Sequence, residues 1–492
     1  MLDPAETNCV PRIVFMSQRS SGPPKEATAV SRQSMRSFLT ALDNAGAVTT
    51  IAAPVNATFE IAACLVEADE GPALRFDNVV GARTPVVGNL LNSLERISSS
   101  LGKTPATLQA SIIAAVEAPR EHWIVASAPC QEEVTSNPVL LDELPIPHFF
   151  EHERGPYITA GAIVAKDRQT GRANLSIARL MPLGANRAFV GIAPNHHLAV
   201  LARAARARGE TLDIAVCIGN HPAVLIASCL YLRLGDDELK IAGALLGESL
   251  EVARCLGSDL LVPAHCECVL EGTLDAGAPA DEGIVSEFHG LYEDYGPGVT
   301  AIFSRLTRRQ DPIFQVILPG YHREHCLLGG VAIAAGLARV ARASVPGVRE
   351  VAVGMGGAGR LHAVVSLHQP RPGDARKAAF AVWASVNLIK QIVLVDDDVN
   401  PWDSTQVEWA IATRMKPDRD LIVIPRVRAD RSEPLESEGT VAKLAIDATR
   451  REGDRSDWRN AEPPEPAIRR AKDVLRTTFA SSPPTNATTK TS

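Results

Sequence analysis

The chain of 492 residues is 46% hydrophobic with a mean hydropathy of +0.02, long enough to build two or three cores. A net charge of −7 and a pI of about 6.0 leave no basic footprint for nucleic acid, and no apolar run reaches the roughly 20 residues of a membrane span. The opening MLDPAETNCVPR lacks the basic-then-apolar order of a secretory signal. Nine cysteines at irregular spacing are not a disulfide framework, so a cytoplasmic protein with reduced thiols is expected.

Residues 1–34 are mixed and carry SQRSSGPPKEAT, which reads as a flexible N-terminal extension. The first clear helix lies in SMRSFLTALDNAGAVTTI, where Phe38, Leu39 and Leu42 share a face and Asn44 to Gly46 form the stop. Strand and helix signals then alternate through ALRFDNV, TPVVGNLL and TLQASIIAAVEA, so residues 35–128 are expected to form an α/β layer. Strands dominate residues 129–322. YITAGAIVAKD, ANLSIARLMPL, RAFVGIAP, LDIAVCIGN, LLVPAHCECVLEGTL and TAIFSRLTRR are short, rich in β-branched residues and bounded by Gly or Pro. They predict a central domain resembling a split β-barrel. Residues 323–450 read as a C-terminal α/β domain, from the helical LLGGVAIAAGLARVARA to the strand IKQIVLVDDDV. Residues 451–492 hold one amphipathic helix, PAIRRAKDVLRTTF, and a Ser/Thr/Pro tail expected to be disordered. The fold class is α/β (α+β).

Several motifs invite chemistry and have plainer readings. GMGGAG at 354–359 has the spacing of a dinucleotide loop, but the RLHAVVSLH behind it alternates as a strand, so a hairpin turn is expected. In YHREHC, His322 and His325 lie three apart without a third ligand, and Glu324 is expected to favour the start of the following helix. Cys266 and Cys268 form a lone C-x-C, too few ligands for zinc. Asp396 to Asp398 end a strand as a solvated turn.

The segment ANLSIARLMPLGANRAFVGIAPNHH, residues 173–197, has the pattern of buried structure yet carries Asn174, Arg179, His196 and His197. Burying such groups without partners costs roughly 1–3 kcal/mol each, so something should satisfy them. On one regular strand Asn174 and Arg179 would face apart, so a bulge or turn is expected between them if they share a site. Acids follow at Glu238 in GDDELKIAGALLGESLE and at Glu282 and Glu287 in ADEGIVSEFHG.

Taken in order, these segments resemble the UbiD family of prenylated-FMN-dependent reversible decarboxylases over roughly residues 35–450. NLSIAR matches the family's asparagine-to-arginine segment, and His196-His197 its Gln/His-His pair before a helix. Glu238 matches the acid ahead of a GALxG turn, here Ala242 to Leu245. VPAHCECVLEGTL matches the VPA-x-x-E-x-VLEG strand, and DVNPWDSTQVEWAIATR a later signature. DEGIVSE stands where the family has its EGPxGE loop, without the prolines and one glycine.

The resemblance implies that prenylated FMN binds through Asn174, Ser176, Ile177, Ala178, Arg179, His196, His197 and Glu238. Asn174, His197 and Glu238 would hold Mn²⁺ (or Mg²⁺) against its phosphate; an amide, an imidazole and a carboxylate form a hard N/O set that suits those ions better than zinc or copper. A K⁺ would sit on backbone carbonyls near Ala227 and Ser228. Arg179, Glu282 and Glu287 would form the catalytic carboxylate–guanidinium–carboxylate triad. In it Arg179 steers the substrate carboxylate, Glu282 tunes both partners, and Glu287 is kept protonated as the proton donor. Ala193, Phe288, Glu324, Leu328, Leu421 and Val423 fall where relatives line the substrate pocket, Glu324 hinting at a polar substituent. The implied activity is non-oxidative decarboxylation of an α,β-unsaturated or aromatic carboxylic acid. The implied partners are a flavin prenyltransferase as cofactor supplier and further copies of the chain, joined through the C-terminal domain as a homodimer or higher homo-oligomer; no nucleic acid and no membrane is expected. Rival expectations are a reductase-like protein on ordinary FMN, and a cofactor-binding homologue without turnover.

Overall fold

In the computed structural model, residues 30–455, 457–459 and 461–480 are described. They form two compact units, a body that ends at Thr449 and a C-terminal segment from Arg450 that carries the expected helix as Glu465–Ala480. The expected disordered tail beyond residue 480 and most of the expected flexible extension lie outside the described residues. The end of that extension is anchored, contrary to expectation. Gln33 and Ser34 are buried; Gln33 Nε2 donates to the Ser249 carbonyl at 3.0 Å, and Ser34 caps the helix Met35–Asn44 by accepting from the Ser37 N–H.

The buried face of that helix is Met35, Phe38, Leu39 and Leu42, at the spacing the sequence gives it. It covers a four-stranded sheet in the order Val48–Ile51, Ala73–Phe76, Val86–Gly88, Phe314–Gln315. The fourth strand comes from far along the chain and runs parallel to Val86–Gly88, so the N-terminal layer is completed by central residues.

The central sheet follows the order Ala173–Ile177, Ala162–Lys166, Leu212–Ile218, Cys268–Ala280, Gly298–Arg308, Arg187–Gly191, Arg179–Gly184, every neighbour antiparallel. Glu133–Ser136 adds an eighth strand alongside Gly298–Arg308. Seven strands laid flat at about 4.8 Å would put the edges roughly 29 Å apart. Here the two edge strands are joined by Ala178 alone, so the sheet must curl. The edges do not pair. The result is a split, barrel-like sheet rather than a closed barrel. ANLSIARLMPL, expected as one strand, is two, and the break at Ala178 is the one that a shared site for Asn174 and Arg179 requires.

The C-terminal sheet has the order Val348–Ala352, His362–Leu367, Gln391–Asp396, Thr440–Asp447, Leu421–Arg428 and is covered by the helices Arg323–Ser344, Asp374–Ser385 and Ser404–Arg414. Arg323–Ser344 is long and apolar enough to cross a membrane, but most of it is buried within the body. GMGGAG connects two antiparallel strands through a short turn, Met355–Gly357, and no helix follows. Its last glycine, Gly359, has φ +65°, and a Cβ there would overlap the Cys326 carbonyl of the long helix. The glycine therefore serves close packing. Two further readings change. The expected turn at Asp396 to Asp398 is exposed at Asp397 and Asp398, but Asp396 is buried and the turn is also an ion-pair hub, in which Arg414, 2% exposed, reaches Asp396 at 3.0 Å and Asp398 at 2.8 Å. Glu324 does more than favour a helix start: it is fully buried and accepts the N–H groups of Asn89 and Leu91, each at 2.9 Å, tying the N-terminal layer to the long helix.

Candidate active site

The break at Ala178 sends the chain from one edge of the split sheet to the other, and a cavity of about 430 Å³ opens beside it. Asn174 and Arg179 both line it, with His196, His197, Glu238 and Glu287.

One end gathers the hard donors. Glu238 opens the helix Glu238–Leu246, capped by Asp237, which turns its carboxylate back onto the strand Ala173–Ile177. There Asn174 Nδ2 donates to Glu238 Oε1 at 3.2 Å, and the Leu175 N–H to Oε2 at 3.0 Å. Ser176 Oγ donates to Asn174 Oδ1 at 3.2 Å. Burial pushes the Glu238 carboxyl up to about 7 in spite of these donors. His197 lines the same end as the first residue of the helix His197–Ala207, and burial lowers its pKa, which favours the neutral, ligating imidazole. Among the described residues no three His, Cys, Asp or Glu gather as a metal cluster, so the set reaches three donors only through the Asn174 amide. A buried carboxylate raised for want of a counter-charge, beside an amide oxygen and a neutral imidazole, fits a divalent ion of the Mn²⁺ or Mg²⁺ type.

The other end holds the triad. Arg179 Nε donates to Glu282 Oε2 at 2.8 Å and Nη2 to Oε1, while the Tyr157 hydroxyl reaches the same carboxylate at 3.4 Å. Across the ladder Arg179 faces Gly191, and the missing side chain is what lets the guanidinium lie there. Burial disfavours the Arg179 charge, but Glu282 and Glu287 outweigh it and its pKa is raised. Glu287 Oε2 accepts from the Tyr295 hydroxyl at 2.8 Å, and Oε1 from the Phe288 N–H at 2.9 Å. Burial pulls its pKa up; Arg179, the Phe288 N–H, His325 and Tyr295 together pull it further down, and the net is below the ordinary value. The expected protonated acid is thus an ionised carboxylate in this arrangement.

Ser176, Ile177, Ala178, Ala193, Phe288 and Leu328 also line the cavity; Glu282 stands behind Arg179. Three expected pocket residues are elsewhere. Glu324 is spent on Asn89 and Leu91, and Leu421 and Val423 lie exposed on the edge strand Leu421–Arg428. Their place is taken by Asp430, Arg431 and Ser432 in the loop after that strand. Sequence reasoning also passed over Tyr295 and Arg360. The Glu287–Tyr295 pair is a side-chain contact beyond the small hairpin of Val285–Ser286 and Tyr292–Glu293, whose register sets Glu287 opposite Leu291, so no local pattern announces it. His325, set aside for want of a third ligand, lines the cavity, and burial and Arg360 push it down to about 4.

Comparison with known proteins agrees in every part of the body. Family models described as the N-terminal, Rift-related and C-terminal domains of 3-octaprenyl-4-hydroxybenzoate carboxy-lyase match residues 39–116, 123–322 and 326–448. Anhydromevalonate phosphate decarboxylase of Methanosarcina mazei is 36% identical over 416 residues, 84% of this chain and 96% of that one. The UbiD-class enzyme HmfF from Pelotomaculum thermopropionicum, solved with FMN, superposes with a TM-score of 0.85 at 36% identity over 89% of this chain and 99% of that one. An evolved dimeric form of HmfF, solved with prFMN, gives a TM-score of 0.81 at 35% identity over 88% and 98%. With the greater part of the sequence matched and its relatives matched nearly end to end, this chain belongs to the UbiD family of carboxy-lyases.

Proposed function

We propose that the protein is a non-oxidative, reversible decarboxylase of an α,β-unsaturated or aromatic carboxylic acid, working with prenylated FMN and a divalent metal. The observation that supports this reading is one cavity bordered by both the hard-donor set and the triad. Asn174, His197 and Glu238 are the residues that would hold Mn²⁺ or Mg²⁺ and, through it, the flavin phosphate. Backbone carbonyls near Ala227 and Ser228 are the proposed K⁺ seat; Ser228 lines the cavity. Prenylated FMN supplies, when bound, the electron sink that no side chain offers.

The chain supplies position and a proton. Arg179, fixed by Glu282, presents a guanidinium edge that orients the substrate carboxylate. An arriving carboxylate adds negative charge beside Glu287 and competes for Arg179, and both effects raise the Glu287 pKa toward a donor's range. Glu287, its pKa so raised, takes a proton from solvent and gives it to the carbon that CO₂ leaves. We further propose a cytoplasmic homodimer, with residues 129–322 as the cofactor domain and 323–450 as the dimerisation domain. The test is co-expression with a flavin prenyltransferase, identification of the bound flavin by mass and absorbance, and CO₂ release over a panel of acrylic and phenolic acids. Turnover lost in Glu287→Gln is the expected result. Loaded protein that turns over no acid, or a Glu287→Gln variant with full activity, overturns the reading.

A further inference from the structure

The cavity contains a cation that the chemistry above does not use. Arg431 sits in the loop between Leu421–Arg428 and Thr440–Asp447 and lines the cavity beside the triad. Its guanidinium lies 4.5 Å from the centroid of the Tyr295 ring, whose hydroxyl is bonded to Glu287. Arg179 lies 5.6 Å from the same centroid, so the two guanidinium carbons are within about 10 Å of each other. Arg179 has Glu282 as its counter-ion. Arg431 has none: among the described residues it makes no hydrogen bond and no ion pair. Its neighbour Asp430 turns Oδ1 to the Ser432 N–H at 3.1 Å. Burial and Arg179 act against the Arg431 charge and outweigh Tyr295, Asp430 and Glu287, which favour it only through space. An arginine kept in a cavity against another cation calls for an anion.

The loop is held in place. Glu433, 3% exposed, takes the Lys390 ammonium at 2.6 Å, and its own N–H bonds the Asp430 carbonyl at 3.1 Å. Arg431 is therefore presented by a fixed loop, its guanidinium over the ring of Tyr295, the partner of Glu287.

We propose that Arg431 binds a second anionic group on the substrate, so that the acid decarboxylated here carries a phosphate or a second carboxylate within about 10 Å of the reacting one. The inference rests on the decarboxylase reading for its reaction but not for its binding. A planar guanidinium takes a phosphate or carboxylate through two parallel N–H bonds, and a charge-assisted bond of this kind changes affinity by about tenfold or more.

Two experiments test it. Protein loaded by co-expression with a flavin prenyltransferase is assayed on (E)-5-phosphooxypent-2-enoate, (E)-hex-2-enedioate and the neutral-ended (E)-5-hydroxypent-2-enoate. The expected kcat/KM favours one anion-ended acid over the hydroxy acid by about tenfold, and Arg431→Gln collapses that ratio toward one; which end group wins separates phosphate from carboxylate. No preference in the unmodified protein, or an equal fall on all three acids in the variant, overturns the proposal. In the second, the saturated 5-phosphooxypentanoate and pentanedioate are titrated calorimetrically into protein loaded with plain FMN. Arg431→Gln should weaken the preferred one about tenfold while the FMN affinity stays put; a fall in FMN affinity instead assigns the residue to the cofactor and overturns the proposal. If these ligands bind through Arg431 but no acid is decarboxylated, the reaction reading fails and the anion site stands.

Discussion

Replacing Glu282 by glutamine isolates the pair on which the triad depends. Glu282 is 1% exposed and takes two N–H bonds from Arg179, whose side chain is 21% exposed toward the cavity. Glutamine keeps the shape and one acceptor oxygen but removes the charge, so Arg179 is left buried with its direct counter-ion gone. Breaking a buried pair by removing one partner costs about 3–5 kcal/mol, much of it the uncompensated charge. Glu287 remains nearby and acts on Arg179 through space, so the single variant should fall at the low end, about 3 kcal/mol. The double variant Glu282→Gln, Glu287→Gln should reach the high end. Glu287→Gln alone should cost less, because the direct Arg179 bonds go to Glu282. The assay is equilibrium urea denaturation of the four proteins, with coincident fluorescence and circular dichroism transitions as the two-state check. A Glu282→Gln variant within 1 kcal/mol of the parent, or a double variant no less stable than the single, refutes the reasoning.

Gly191→Ala would place a Cβ 2.9 Å from Arg179 Cζ, so the guanidinium must shift; decarboxylation should drop about ten- to a hundredfold with the circular dichroism spectrum intact, and full activity would show that Arg179 has slack. Tyr295→Phe removes a donor to the Glu287 carboxylate; the Glu287 pKa rises, so the alkaline limb of the pH–rate profile, set by an acid that must be protonated, should move up by about one unit or less, and a limb that stays or moves down contradicts Glu287 as donor. Glu324 is pushed by burial up to about 7 from the 4.5 of a free glutamate, the Leu91 and Asn89 N–H groups and Arg96 opposing. A carboxyl whose pKa is higher folded than unfolded favours the fold in full below about 4.5, and that contribution, about 3 kcal/mol, is lost as pH rises through about 7. Glu324→Gln should flatten this slope in urea titrations between pH 4.5 and 7.5; an unchanged slope would move the titration to another group.

The triad and the donor set are legible because their short segments, taken in order, resemble those of one family; the acids carry no local signal of their own. Asn174 and Arg179 stand out as polar residues in strand-like runs, His197 and Glu238 each open a helix, and Glu282 and Glu287 share one loop. Failures came where a residue's partner is remote or its element has no period. Glu324 is satisfied by backbone N–H groups more than 230 positions earlier, which no local pattern announces. Leu421 and Val423 alternate as a strand should, and they are on one; but it is an edge strand with those residues exposed, and the cavity is reached by the aperiodic loop after it. Asp396 and Asp398 find their counter-ion 18 and 16 positions on, across a turn and a helix.

The break at Ala178 explains why the two ends of the site are built from one stretch of chain. A strand alternates its side chains, so an unbroken run would aim Asn174 and Arg179 to opposite faces. Splitting the run places them on the two edges of a curled sheet, where the edges converge and both side chains reach the same cavity. The open edge also leaves backbone groups free of a ladder, and one of them, the Leu175 N–H, is used to grip Glu238. A closed barrel would pair that edge and lose both the N–H and the gap. The sheet is split where the chemistry needs it, and Arg431 and Ser432, in the loop between Leu421–Arg428 and Thr440–Asp447, line the cavity that the split leaves.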